Sequence, residues 1–266
     1  MTRHTDQDNN RQPRGEYQQR KRFFDRMLTI YGRKPVLEAL QDEQIPCYRL
    51  HLADSNKPGG IIGEIIDLAK RRNVEICYHD RMALSRISRN GKQDQGVAAD
   101  LPCPNHQDLE DLLAKPPEGN YSLIALDGVT NPQNLGMIIR SVTASPCHGI
   151  LLPKTGTAAI SPLVIKASAG TLFKSRLIHC DNLAKALQAL KERGATCCTL
   201  SSHSSQSLAE FRPATPVVYV LGNETEGVSK AVSDCCSDHI RIPMHNGVES
   251  LNVAVTASLL AFRGQL

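Results

Sequence analysis

IRIPMHNGVESLNVAVTA, residues Ile240 to Ala257, is the stretch whose reading decides the fold. Ile240, Arg241 and Ile242 form a short β-run that Pro243 stops, Asn246-Gly247 is a turn pair, and an apolar helix opens at about Ser250. Strand, bend and helix start in that order make an α/β crossover. A helix start leaves backbone N–H groups without intrahelical partners, and Glu249, Ser250 and Asn252 place small polar side chains beside them. In open α/β sheets ligands bind at such strand ends.

Upstream of this stretch the same alternation repeats. YSLIALD (Tyr121 to Asp127), HGILLP (His148 to Pro153), SRLIHC (Ser175 to Cys180), ATCCTL (Ala195 to Leu200), PVVYVLG (Pro216 to Gly222) and HIRIP (His239 to Pro243) are near-continuous apolar runs, as strands buried on both faces require. LGMIIRSVTA, PLVIKASAGTLF, NLAKALQALKERG, a short element after Gly227 and LNVAVTASLLAFRG between and after them are helical by pattern. The expectation for residues 120–266 is a parallel, doubly wound α/β domain. Polar segments follow the first, fifth and sixth strands (DGVTNPQNLGMIIR, LGNETEG, PMHNGVESLN) on one side of the sheet. No G-x-G-x-x-G follows the first strand and no Walker motif occurs, so the ligand site is expected near the last strands.

Residues 28–101 read as a second, smaller α/β unit: a helix in YGRKPVLEAL, strands in CYRLHLA, VEICYH and QGVAADL, and an amphipathic helix in GGIIGEIIDLAKRRN. Lys70, Arg71 and Arg72 at the end of that helix suit either an RNA-facing surface or the negative end of the helix dipole. Residues 102–119 carry four prolines with one short helical pattern in the middle and are read as a linker. Residues 1–27, with Arg11, Arg14, Arg20, Lys21, Arg22 and Arg26 among polar residues, are expected to be a disordered basic arm, either touching phosphate or simply solvated.

At 266 residues and 41% hydrophobic the chain has enough apolar material for two cores. Its polar start and the lack of any apolar run of membrane-spanning length argue for a cytoplasmic protein without a membrane partner. The nine cysteines include the adjacent pairs Cys197-Cys198 and Cys235-Cys236 and no C-x-x-C spacing. Reduced, inert thiols are expected, and no metal. A net charge of +4 is mild for a nucleic-acid binder.

Three motifs in fixed order carry a resemblance: N-L-G-M-I-I-R (Asn134 to Arg140), L-G-N-E-x-x-G (Leu221 to Gly227) and I-P-M…S-L-N-V (Ile242 to Val253). The chain resembles the SpoU (TrmH-type) RNA 2′-O-ribose methyltransferases of the SPOUT superfamily, and IYGRKPVLEAL with DQGVAAD is similar to their ribosomal-protein-like substrate-binding domain. The resemblance implies a knotted (trefoil) parallel-sheet SPOUT domain preceded by a small α/β RNA-binding domain. It implies S-adenosylmethionine as cofactor, an rRNA or tRNA substrate rather than DNA, and a homodimer through the catalytic domain. Carried over by motif, cofactor contacts fall on Gly222, Ile242 and Leu251, and catalytic-site residues on Asn134, Arg140, Glu224, Ser250 and Asn252. A glycine usual in the family two residues after the I-P-M methionine is here Asn246, a residue that tolerates left-handed backbone.

These types suit the chemistry. A ribose hydroxyl is a weak nucleophile that must lose its proton as a sulfonium loses its charge. A guanidinium stays protonated, so Arg140 is expected to bind phosphate and stabilise developing alkoxide rather than act as a base. Asn134 and Glu224 are expected to orient Arg140 or the cofactor and ribose, with Ser250 and Asn252 lining the same pocket. Singly, N-x5-R is a helix cap with a surface cation and L-G-N-E a strand end with a turn. Two other readings stand beside the first: a catalytically silent RNA-binding protein of this fold, and a methyltransferase acting on a base nitrogen.

Overall fold

The computed structural model describes residues 23, 26–202, 204–213 and 216–263. The basic arm read over 1–27 lies almost wholly outside the described residues, and nothing structural attaches to it.

The first sheet has four strands, β1 (Met27–Tyr31), β2 (Arg49–Ala53), β3 (Glu75–His79) and β4 (Val97–Pro102), in the order β1-β4-β2-β3. β2 and β3 are parallel and the other pairs antiparallel. Helices α1 (Arg33–Gln41) and α2 (Gly60–Arg71) cover one face, burying Val36, Leu40, Ile62 and Ile65 with Leu50, Leu52, Val97 and Leu101. Helix α3 (Arg81–Ser88) packs Leu84 against Ala53 and Ala98 on the other face. Its N-terminus is capped by Asp80, whose Oδ1 accepts from the Ala83 N–H at 2.8 Å. Arg72 is structural: its guanidinium donates to the carbonyls of Ala39, Leu40 and Asp42, closing the C-terminus of α1. Lys70 and Arg71 are left at the surface or nearly so.

The second sheet has seven parallel strands: β5 (Gln107–Asp108), β6 (Ser122–Leu126), β7 (Gly149–Pro153), β8 (Leu177–Cys180), β9 (Thr196–Leu200), β10 (Val217–Leu221) and β11 (Asp238–Ile240). Their order is β11-β9-β10-β6-β7-β8-β5. The segment read as a linker therefore does more: β5 pairs with β8, and α4 (Leu109–Ala114) sends Leu109 and Leu112 into the core. The short helical pattern inside it is α4, whereas β5, two residues long, is too short for periodicity to reveal.

Both faces of the large sheet are covered. Alternate residues Ile124, Leu126, Ile150, Leu152 and Leu221 face α5 (Pro132–Thr143), α6 (Pro162–Ala167) and α9 (Val253–Ala261). Leu123, Ala125, Leu151, Ile178, Val218 and Val220 belong to the opposite core, with α4, α7 (Leu183–Glu192) and α8 (Lys230–Ser233). The two periodicities of a strand thus feed two cores, as a doubly wound domain needs. PLVIKASAGTLF is one helix by pattern but two elements in the fold. The left-handed backbone of Ala169 (φ 48) and Gly170 (φ 74) ends α6, and a 3-10 turn, Thr171–Lys174, follows. Among the described residues no helix is long and apolar enough to cross a membrane.

His106, just before β5, is 6% exposed and stands edge-on to His179. Burial, reinforced by His179, lowers its pKa from 6.5 to about 4. The folded state therefore takes up this proton less readily than the unfolded chain, so its contribution to stability is full above pH 6.5 and is lost as pH falls towards 4. Chemical denaturation at pH 7 and pH 5 should show the wild type losing about 1–2 kcal/mol more than His106→Asn over that interval; equal losses would contradict the assignment.

Candidate active site

Sheet order reverses between β6 and β10: β7 and β8 extend the sheet one way, β9 and β11 the other. Loops leaving β6 and β10 consequently part at a topological switch point, where a crevice forms. Three hydrogen bonds join them. Asp127 N–H donates to the Leu221 carbonyl (2.8 Å), Asn223 Nδ2 to the Gly128 carbonyl (2.8 Å), and Ser229 N–H to Asp127 Oδ2 (2.7 Å). The β10 loop closes on itself, with Asn223 and Gly227 exchanging backbone bonds of 3.0 and 2.9 Å and Asn223 Oδ1 accepting from the Thr225 N–H at 2.8 Å. That closure requires glycine at 222, since a Cβ there would lie 2.1 Å from the carbonyl carbon of Gly227.

Helix α5 starts in the crevice. Asn131 is its N-cap, Oδ1 accepting from the Gln133 N–H at 2.8 Å, and Pro132 occupies the first turn, where its missing N–H costs nothing. This places Asn134 at the mouth yet 6% exposed. Its amide is used twice: Oδ1 accepts from Asn252 Nδ2 at 3.1 Å, and Nδ2 donates to Glu224 Oε1. Asn252 also caps α9, accepting from the Ala254 N–H at 2.8 Å, which is why that helix begins at Val253 and not at Ser250. One residue from each of the three motifs therefore meets in a single hydrogen-bonded chain, Asn252–Asn134–Glu224.

The segment between β11 and α9 returns from the sheet edge to the α5 side. Asn246 (φ 56) and Gly247 (φ 73) both take left-handed backbone, the former as its side chain permits. Val248 is 51% and Leu251 37% exposed. Among the described residues, positions 242–251 make one backbone hydrogen bond, from Val248 N–H to the His245 carbonyl. The segment thus offers apolar side chains and unpaired backbone groups together. Ile242, at its start, lines a groove with Leu208, Tyr219 and Leu260. Ser250 is exposed and, among the described residues, bonds to nothing.

Arg140 stands apart. Its side chain is exposed and, among the described residues, has no hydrogen-bond or ion-pair partner. Six residues beyond Asn134, it lies about 9 Å further along the helix. α5 and α9 run side by side, with Ser258 Oγ donating to Ser141 Oγ at 2.7 Å. Met137 and Val255, one turn before Arg140 and Ser258, are 41% and 48% exposed, so the outer face of this helix pair is apolar around Arg140.

Asn131 and Asp127, which hold the loops, were not among the expected site residues, and Asn223 was marked only as part of the L-G-N-E motif. Asn131-Pro132 carried a cap signal, whereas Asp127 gave none, because its partner is a backbone N–H about a hundred residues away. The buried thiols are inert, Cys103, Cys198 and Cys236 being pushed up to about 12 by burial.

Residues 121–262 match the family described as the SpoU rRNA methylase family, and residues 29–107 the one described as RNA 2′-O ribose methyltransferase substrate binding. A Mycolicibacterium vanbaalenii protein named as an uncharacterized tRNA/rRNA methyltransferase is 32% identical over 233 residues, covering 87% of this chain and 74% of its own. A Bacillus subtilis protein named for the TrmH family of tRNA/rRNA methyltransferases is 31% identical, covering 88% and 93%. Among solved structures, the SpoU methyltransferase AviRb of Streptomyces viridochromogenes, crystallised with AdoMet, superposes with a TM-score of 0.61 at 22% identity over 92% of this chain and 93% of its own; at that identity it speaks for the fold.

Gly222→Ala tests the loop geometry without reference to activity. The added methyl must push the backbone of Gly227 away, and stability should fall by about 1–3 kcal/mol in urea denaturation. An unchanged midpoint would mean that the β10 loop is looser than described.

Proposed function

This chain belongs to the SpoU rRNA methylase family, and from that premise we propose that it methylates a ribose 2′-hydroxyl of structured rRNA or tRNA in the cytoplasm, with S-adenosylmethionine as donor. The observation that carries this reading is the Asn252–Asn134–Glu224 chain at the switch point, with Arg140 exposed and unengaged on the same helix as Asn134.

The cofactor's place is the crevice between the β10 loop and the segment 242–251. The fit rests on that segment's unpaired backbone groups, which suit the donor and acceptor edge of an adenine, and on the exposed Leu251 and Val248, which suit its faces. Gly222 and Leu251 hold it; Ile242, carried over from the motif, lies instead in the groove with Leu208, Tyr219 and Leu260. When bound the cofactor supplies a methyl group made electrophilic by the sulfonium charge. Glu224, fixed by Asn134, keeps its second carboxylate oxygen for a hydroxyl or cation at the site, and Ser250 and Asn252 border the same space. Arg140 binds RNA phosphate and stabilises the alkoxide as the 2′-hydroxyl loses its proton.

The separation of Arg140 from the buried amide chain favours a homodimer. Burying the Met137/Val255 face against a second copy would cover exposed apolar surface and bring Arg140 to the partner's cofactor. The return of residues 241–252 from edge strand to helix layer is the path that forms the trefoil knot of this fold class. Residues 28–101 form the RNA-binding domain and 120–266 the catalytic one, with 102–119 joining them and anchoring on the catalytic sheet through β5 and α4.

Arg140→Ala should lower methyl transfer by roughly a hundredfold to a thousandfold while leaving cofactor affinity by calorimetry near that of the wild type. Arg140→Lys should recover little, since an ammonium lacks the planar fork. Wild-type turnover by either variant in a tritiated-methyl assay would refute the role. Mixing Arg140→Ala subunits with subunits unable to bind cofactor should restore part of the activity; no restoration in verified heterodimers would place Arg140 at its own chain's site.

A further inference from the structure

A second cluster of chemically capable side chains lies far from the crevice in the fold, on the small sheet. In the parallel β2–β3 pair Arg49 stands opposite Glu75, His51 opposite Cys77 and Ala53 opposite His79, and on β4 Asp100 stands opposite Arg49. Strand alternation puts these side chains on one face, the one α3 covers at Ala53 and Ala98. One donor atom each from His51, Cys77 and His79 lies within 4.8 Å of the other two, and His51 Nδ1 is 2.9 Å from His79 Nε2. On the far side of the His51 ring, Nε2 is 3.0 Å from Asp100 Oδ2, and Asp100 Oδ1 accepts from Thr29 Oγ1 at 2.6 Å. His51 and Asp100 are buried, while Cys77 and His79 are half-buried on the edge strand.

We propose that this cluster is a transition-metal site for Zn²⁺, with His51 Nδ1, Cys77 Sγ and His79 Nε2 as its ligands. Two imidazoles and a thiolate are a donor set that selects a borderline-soft ion. Zinc–nitrogen bonds of about 2.0–2.1 Å and a zinc–sulfur bond of about 2.3 Å set tetrahedral ligand atoms roughly 3.3–3.8 Å apart. The ring nitrogens need to open by only a few tenths of an ångström. Asp100 supplies what a metal-binding histidine ordinarily has, a carboxylate on its other nitrogen. Holding the His51 proton on Nε2, it leaves the Nδ1 lone pair directed at the other two donors, and Thr29 fixes the carboxylate in turn.

Protons balance simply. Without metal, the hydrogen between the rings belongs to His79 Nε2, and Cys77 carries a thiol proton. Binding moves the His79 proton to Nδ1 and releases the Cys77 proton to solvent, so that three lone pairs face the ion. Beside the cluster, Glu75 Oε1 is 3.5 Å from the Cys77 sulfur, and its other oxygen is held by Arg49 at 2.7 Å. A zinc ion here would cross-link the edge strand β3 to β2 and fix the polar face of the domain. The sequence signal is E-x-C-x-H (Glu75, Cys77, His79) on a strand, a period-two spacing that searches for C-x-x-C pass over.

The test uses the full chain, stripped with chelator, dialysed, and reloaded with Zn²⁺ or Co²⁺. Elemental analysis should find one zinc per chain, and Co²⁺ should give a thiolate-to-metal charge-transfer band with tetrahedral ligand-field bands. Cys77→Ser should lose the charge-transfer band, and His79→Ala should lower zinc affinity at least tenfold; Asp100→Asn should lower it about 10–100-fold. Cys47→Ser, a nearby thiol outside the cluster, should change nothing. Both ligand variants sit on the half-buried edge strand, and circular dichroism checks their folding. No stoichiometric zinc in the wild type, or equal uptake by folded Cys77→Ser and His79→Ala, would overturn the proposal and leave a hydrogen-bonded histidine pair.

Discussion

The amide of Asn134 is a buried polar group whose oxygen and nitrogen must both find partners, and the two partners come from two other loops. An unsatisfied buried amide costs on the order of 1–3 kcal/mol per lost partner, so the chain Asn252–Asn134–Glu224 couples the position of the last helix to the loop after β10. Asn252 performs two tasks at once, capping α9 and donating to Asn134. A shift in any one loop is therefore felt in the other two. This is the kind of preorganised polar network that a displacement reaction on a weak nucleophile demands.

That network exists because of strand order. With β6 and β10 adjacent and their connections diverging, two loops are left side by side with no crossover helix between them, and Asp127, Asn223 and Ser229 tie them together. The third loop arrives from the edge strand β11 and ends in a helix packed beside α5. Backbone rather than side chains does much of the shaping: Gly222 permits the close approach to Gly227, and Asn246 and Gly247 turn the chain with positive φ. Apolar side chains on the same segment stay exposed, the pattern of a surface made to receive a ligand.

Much of this was legible in the chain. The six apolar runs from Tyr121 to Pro243 correspond to the six strands β6 to β11; the inner ones, buried on both faces, need continuous hydrophobicity, and few other elements show it. Asn246, where the family resemblance puts a glycine, has the left-handed backbone that an asparagine tolerates. What was missed has physical causes. β5 is too short to display a period; α3 is largely polar because it touches the sheet through little more than Leu84 and Ile87; and β1 abuts the basic arm. Arg72 read as a cation facing RNA or the end of its own helix dipole, yet it caps a helix thirty residues away in sequence, a relation no local pattern encodes. The His51–Cys77–His79 cluster was invisible for the same reason, since it depends on the register of two parallel strands.

In a single chain the exposed Arg140 and the buried Asn252–Asn134–Glu224 chain lie apart, and the proposed dimer is what would join them for the proposed transfer to the ribose. The most direct measurement of that chemistry is to incubate the protein with tritiated S-adenosylmethionine and RNA from cells lacking it, digest the RNA to nucleosides, and identify the labelled product by mass spectrometry. Label in a 2′-O-methylribonucleoside is the predicted result. Label in a base-methylated nucleoside, or no transfer by protein that binds the cofactor, would contradict it.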